Sequence, residues 1–228
     1  SGETFDTLAA VHEIQRKGGR VLGIVNTPGS SIARACGSGI YLHAGAEVSV
    51  ASTKTFTSTV VVFTLLALHL ARIRDLGPAD GRRLLDALEA LPDLIEAVLT
   101  DESAVDEAAA IVAAAPSAFF VGRVRGHAVA LEGAQKLKEV SYVHAEAYPA
   151  AELKHGPLAL VSPELPTVVV VPDDDLVDKN LATIAEIRAR SGPGAAGGDR
   201  PCPAARPDRG ASRLRGRAAA AAAGGPPG

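Results

Sequence analysis

The sequence predicts an α/β fold built as two tandem units, each a parallel sheet flanked by helices. Three observations predict it. Short apolar runs stand at residues 21–26 (VLGIVN), 117–124 (SAFFVGRV) and 166–172 (PTVVVVP), a length and composition that suit buried strands. Stretches with apolar residues at helical spacing lie beside them. The strand and helix pattern also runs once, gives way to helical segments alone, and then restarts, as expected for two α/β units rather than one.

The elements follow in order. SGETF opens a loop into an amphipathic helix with Leu8, Val11 and Ile14 on one face, and the strand at 21–26 comes next, as the second half of a βαβ unit. The first strand of that unit is expected upstream of residue 1, and the chain, which has neither an initial Met nor any Met or Trp at all, is read as a fragment. A helix starts at Ser31, a short strand covers 39–43, and the loop AGAEVSVAST leads into a long helix over 54–73. Gly77 and Pro78 then open a helical stretch with Leu84, Leu85, Leu88 and Leu91, and two more helical segments run to Ala115. The strand at 117–124, a helix over 127–140, the strand at 166–172 and a helix over 176–189 make the second unit. The predicted domains are 1–101 and 102–190, the second sheet stopping after two strands, and open parallel sheets of this kind hold ligands at the carboxyl ends of their strands.

Residues 191–228 have a different character. Of these 38 residues 15 are Gly or Pro, and none is Val, Ile, Phe or Tyr. Such a segment buries too little surface to offset its ordering entropy, so disorder is expected, and an out-of-frame origin would explain a tail that begins where another strand is due.

Composition narrows the function. Hydrophobic residues make up 47%, enough for buried cores, and 23 Lys and Arg balance 26 Asp and Glu, so no nucleic-acid partner is expected. An anionic small molecule remains a possible ligand. The longest apolar run, residues 60–71, falls short of the roughly 20 residues that span a bilayer and reads as a buried helix, with no membrane partner expected. Two cysteines, Cys36 and Cys202, form no disulfide framework, and together with the lack of a signal-peptide pattern they suggest the cytoplasm.

Four segments can carry chemistry. SGET puts Ser1 and Thr4 at the start of the first helix, where backbone N–H groups favour an anion; a plain helix cap would look the same. VASTKTFT, with Val50, Ser52 and Thr53, repeats that arrangement before the long helix, to hold sugar hydroxyls or an anion, or again only to cap. In LEGAQKLKEVSYV, Glu132, Lys136 and Glu139 share one helix face. They suit proton transfer next to a carbonyl, with Glu139 as base and Lys136 supporting charge on oxygen, or else form an ordinary surface ion pair. VHAEAYPAAELKHGP gathers His144, Glu146, Tyr148, Glu152, Lys154 and His155 in what reads as an active-site loop, in which a His can protonate a ring oxygen. His144 and His155 lack HxH or HxxxH spacing, so neither metal nor cofactor is expected.

These segments, with NTPGSS and AGAEVSVASTKTFT, occur in the order found in glutamine:fructose-6-phosphate aminotransferases, also called glucosamine-6-phosphate synthases, and the chain from Ser1 to about Arg190 resembles their isomerase half. The resemblance implies tandem sugar isomerase (SIS) domains, each a five-stranded parallel sheet, and conversion of fructose 6-phosphate to glucosamine 6-phosphate with ammonia from glutamine. It assigns Ser1 and Thr4 to the phosphate loop and Val50 and Ser52 to the sugar. Glu139 becomes the base that moves a proton between C1 and C2, Lys136 the lysine beside it, and His155 the ring-opening histidine that reaches a neighbouring subunit's site in a homodimer. The family's glutaminase domain and Schiff-base lysine tail have no counterpart in this sequence, so no synthesis from glutamine is expected of this polypeptide alone. Two other readings share the SGET loop: a non-catalytic SIS regulator that binds a sugar phosphate, and another SIS isomerase or deaminase of amino sugar phosphates.

Overall fold

The computed structural model divides the chain into two units, Ser1–Leu91 and Pro92–Gly228, so the junction falls earlier than the expected boundary after residue 101. The structure describes residues 2–191 and the backbone of Gly216–Ala219.

In the first unit, Thr4 opens helix α1 (Phe5–Arg16), which buries Val11. Strand β1 (Gly23–Val25), helix α2 (Ser31–Cys36) and strand β2 (Gly39–Tyr41) then form a parallel crossover in which Gly23 faces Gly39 and Val25 faces Tyr41. Ser30 caps α2 by accepting from the Ala33 amide at 3.4 Å, and Gly37 ends it in the left-handed conformation. Gly2 is fixed by contact as well as by its φ of 106°: a Cβ there would stand 2.2 Å from Ser30 Oγ, while its carbonyl accepts from the Ile32 amide. Helix α3 (Lys54–Ile73) and helix α4 (Pro78–Glu89) pack together and complete the unit.

The expectation that residues 60–71 form a buried helix is corrected. They do lie in a helix, but Leu68 alone in α3 is buried, and Val60, Phe63, Leu65, Leu70 and Ile73 are exposed. With two strands in this unit's sheet among the described residues, there is little surface to cover a 20-residue apolar helix. Its full length, extended past the apolar run by Lys54 to Thr59, is also sufficient by composition to cross a membrane.

In the second unit, helix α5 (Leu91–Thr100) starts at the junction and helix α6 (Ser103–Ala113) leads to strand β3 (Ser117–Gly122). Helix α7 (Arg125–Ser141), strand β4 (His144–Pro149), 3₁₀ turns at Leu153–His155 and Pro157–Leu160, strand β5 (Thr167–Pro172) and helix α8 (Val177–Ser191) follow. The sheet order is β4-β3-β5-β6, with β6 (Gly216–Ala219) antiparallel and the rest parallel. Two sequence expectations change here. The sheet has three parallel strands rather than two, because residues 144–149, read as loop, pair with β3 in register from Ser117–His144 to Gly122–Pro149. The tail, expected to be disordered, contributes β6; its residues 192–215 and 220–228 lie outside the described residues.

Helices cover both faces of this sheet. Phe119, Val121, Val169 and Val171 pack with Ile184 and Ile187 of α8, joined by Ala150, Leu153, Val161 and Leu165. On the other face α7 lies close, because its buried stripe is Gly126, Ala130 and Ala134. A Cβ on Gly126 would meet the Val170 carbonyl oxygen at 2.9 Å, and one on Gly122 would meet the Gly126 backbone at 2.3 Å, so both glycines are set by close approach.

Candidate active site

In the first unit the segment GET sends its side chains to different tasks. The Glu3 carboxylate accepts from the Ser31 amide at 2.9 Å and so caps α2; the hydrogen bonds from Ser31 hold its pKa below the usual range. Thr4 is the exposed N-cap of α1, yet its hydroxyl makes no cap hydrogen bond, and no side chain accepts from the first turn of α1 among the described residues. Ser1 lies outside the described residues.

The start of α3 is organised by a residue that sequence reasoning missed. Glu47 Oε1 accepts from Thr53 Oγ1 at 2.7 Å and from the Lys54 amide at 3.4 Å, while Oε2 accepts from Thr55 Oγ1 at 2.7 Å and the Thr55 amide at 3.1 Å. These bonds, that from the Thr53 hydroxyl largest, lower its pKa to about 2. Thr53 holds the N-cap position without a side-chain cap bond of its own, and the first amides of α3 are satisfied by Glu47 instead. Val50 is fully exposed, Ala51 is buried, and Ser52 Oγ lies 2.5 Å from Thr55 Oγ1. Asn26 braces the loop from behind, donating to the Gly45 carbonyl and accepting from the Ala44 amide.

In the second unit the expected face of α7 is real. Lys136 Nζ stands 2.5 Å from Glu139 Oε2 and 3.6 Å from Glu132 Oε1, and Gln135 donates to Glu139 Oε1 at 3.1 Å. The Lys136 side chain is partly covered, 22% exposed, while Glu139 lies at the exposed end of the pair. The bond to Lys136 holds the Glu139 carboxyl below its usual range, and the bond to Glu139 holds the Lys136 ammonium above its own. Glu139 is thus an ionised acceptor near neutral pH, beside a fixed positive charge.

The structure does not bring His155 to this cluster within one unit. Glu139 sits in the last turn of α7, next to the amino end of β4, and on the helix face turned away from the sheet. His155 follows the carboxyl end of β4, six residues and roughly 20 Å along the strand. It is also carried over the opposite face: Leu153 is buried in the α8-side core and Lys154 pairs with Glu186 of α8 at 2.9 Å. His155 is exposed, its amide donating to the Glu152 carbonyl. Further back along β4, Tyr148 donates to Glu146, which raises the Tyr148 pKa, and His144 lies 3.7 Å from the same carboxylate.

A cavity of about 270 Å³ lies between α2 and the first sheet, lined by Gly23, Val25, Ala33, Gly37 and their neighbours. None of the predicted site residues lines it.

Tandem parallel α/β units with hydroxyl-bearing loops running into helices place this protein among the open-sheet, ligand-binding α/β class. It belongs to the SIS domain family, whose sequence profile matches residues 1–69 and 111–195. The glutamine–fructose-6-phosphate aminotransferase (isomerizing) of Chlorobaculum tepidum is 45% identical over 192 residues, covering 84% of this chain and 31% of that protein. That of Symbiobacterium thermophilum is 47% identical over 191 residues, 83% of this chain and 31% of that protein. The C-terminal domain of glucosamine-fructose-6-phosphate aminotransferase from Francisella tularensis superposes with a TM-score of 0.78 at 38% identity, covering 84% of this chain and 55% of that one. The chain thus spans about a third of the length of these aminotransferases and matches their C-terminal, isomerase part.

Proposed function

We propose that this chain is the isomerase part of an enzyme that makes glucosamine 6-phosphate and glutamate from fructose 6-phosphate and glutamine. The observation that carries the reading is the half-covered Lys136 ammonium, 2.5 Å from Glu139 and 3.6 Å from Glu132. It occurs in a chain 45% and 47% identical to aminotransferases of that name.

In this reading Glu139 removes the proton from C1 of the ring-opened sugar and returns it to C2. Ammonia first condenses with the C2 carbonyl and water leaves. The C1–H pair then forms the C1–C2 double bond as the C2–N π pair moves to nitrogen. On return the C1 hydroxyl gives up its proton to become the carbonyl, while the C1–C2 π pair forms the new C2–H bond. Lys136 steadies the negative charge that develops on oxygen meanwhile. Proton transfer of this kind needs no cofactor. Of the helix starts α1, α2 and α3 in the first unit, α2 and α3 already hold the carboxylates of Glu3 and Glu47, which favours α1, with Ser1 and Thr4, as the seat of the phosphate. Val50 and Ser52 border the sugar. His155, at the far end and opposite face of its own sheet from Glu139, acts on the ring oxygen in a second copy, so the working form is a homodimer. A glutaminase domain supplies ammonia, and the enzyme works in the cytoplasm.

The test is deuterium entry at C1 of fructose 6-phosphate, followed by NMR in D₂O, for the complete protein and its Glu139→Gln variant. The wild type exchanges, and the variant is slower by about 10²-fold to 10⁴-fold. Binding without exchange in the wild type would instead favour a sugar-phosphate-sensing regulator.

A further inference from the structure

We infer that Glu47 and Thr55 fix the direction of the Ser52 hydroxyl, so that Ser52 offers a ligand lone pairs only and selects a hydroxyl group over an anion. The argument is a count of protons. Glu47 faces two backbone amides, which can only donate, and two hydroxyl oxygens at 2.7 Å; it must be a carboxylate that accepts from all four. Two oxygens at that distance from an anion repel unless a proton lies between, so the single hydroxyl proton of Thr55 is committed to Glu47. Ser52 Oγ is 2.5 Å from Thr55 Oγ1, and that contact also needs a proton. Thr55 has none left. Ser52 is therefore the donor, and since the residue is only partly buried, what its oxygen has left for a ligand is its lone pairs.

Glu47 and Thr55 are positioning residues in this account, since neither need touch the ligand. That the ligand hydroxyl belongs to a sugar phosphate rests on the proposed function. The acceptor character of Ser52 does not.

Two measurements decide it. Neutron diffraction from crystals of the chain exchanged into D₂O is expected to place the Ser52 deuteron on the line to Thr55 Oγ1 and the Thr55 deuteron on the line to Glu47. A deuteron on Thr55 pointing at Ser52 overturns the inference. In the complete protein, binding is compared for fructose 6-phosphate and for analogues in which one hydroxyl is replaced by fluorine, which cannot donate. One analogue is expected to bind the wild type about tenfold more weakly. That penalty shrinks several-fold in Thr55→Val, whose Ser52 is free to donate, and persists in Thr55→Ser. Equal penalties in wild type and Thr55→Val at every position overturn the inference. If the wild type binds neither sugar while the deuteron lies as expected, the sugar-phosphate reading fails and the polarity of Ser52 stands.

Discussion

Glu139 is held as a carboxylate by Lys136 and Gln135, so a base role carries a definite pH dependence. Its pKa is lowered chiefly by Lys136, and the acid limb of C1 exchange should lie below the ordinary carboxylate value of 4.5. Lys136→Met removes that partner: the limb should move up, and the plateau rate should fall about 10²-fold for the lost oxyanion support. An unmoved limb in rate-against-pH profiles would separate Glu139 from the chemistry. Glu47 gives a stability counterpart. Its folded pKa of about 2 lies below the ordinary 4.5, so the cap it makes on α3 is fully present above 4.5 and is lost as pH falls towards 2. The difference between wild type and Glu47→Gln in urea midpoint should therefore shrink over that window. Lys136 and Glu139 are legible in sequence because three-residue spacing puts them side by side on any helix. Glu47 is not legible, since it reaches α3 across an irregular loop that has no period to read.

Glycines and one leucine hold the elements that carry these side chains. Gly126 admits no Cβ without pressing on the Val170 carbonyl 2.9 Å away, so Gly126→Ala should lift α7 from the sheet and cost about 1–3 kcal/mol. Leu153, 1% exposed, anchors the turn that bears His155; Leu153→Ala should cost about 2–5 kcal/mol in urea unfolding. The helices α1, α3, α7 and α8 follow from apolar periodicity alone, α3 from Lys54 to Ile73 as expected. Strand β4 does not, because HAEAYP shows small, polar and titratable residues where a strand signal would be apolar. Its place is determined by pairing with β3, with Ala145 buried and Tyr148 against Phe119 in an edge-to-face contact. Burial of α3 also could not be read from its composition, since an apolar run specifies what a helix avoids and not whether another surface reaches it.

At the scale of the molecule, two units and a tandem α/β order are legible in the restart of the strand pattern, and membership of the SIS family in the segments from SGET to ELKHGP. What sequence order hides is that Glu139 and His155, sixteen positions apart in one conspicuous stretch, are carried to opposite ends and opposite faces of the same sheet. A strand between two residues separates them as surely as a loop can join them. The account therefore assigns each working site a Glu139 from one copy and a His155 from another. Subunit mixing tests this most directly. Glu139→Gln and His155→Ala forms of the complete protein, each inactive in glucosamine 6-phosphate synthesis alone, are unfolded together, refolded at equal concentration and assayed. Shared sites predict recovery to about a quarter of wild-type activity, because half the dimers are mixed and each mixed dimer has one intact site. Activity no higher than that of the separate variants, with mixed dimers demonstrated by mass, would contradict it.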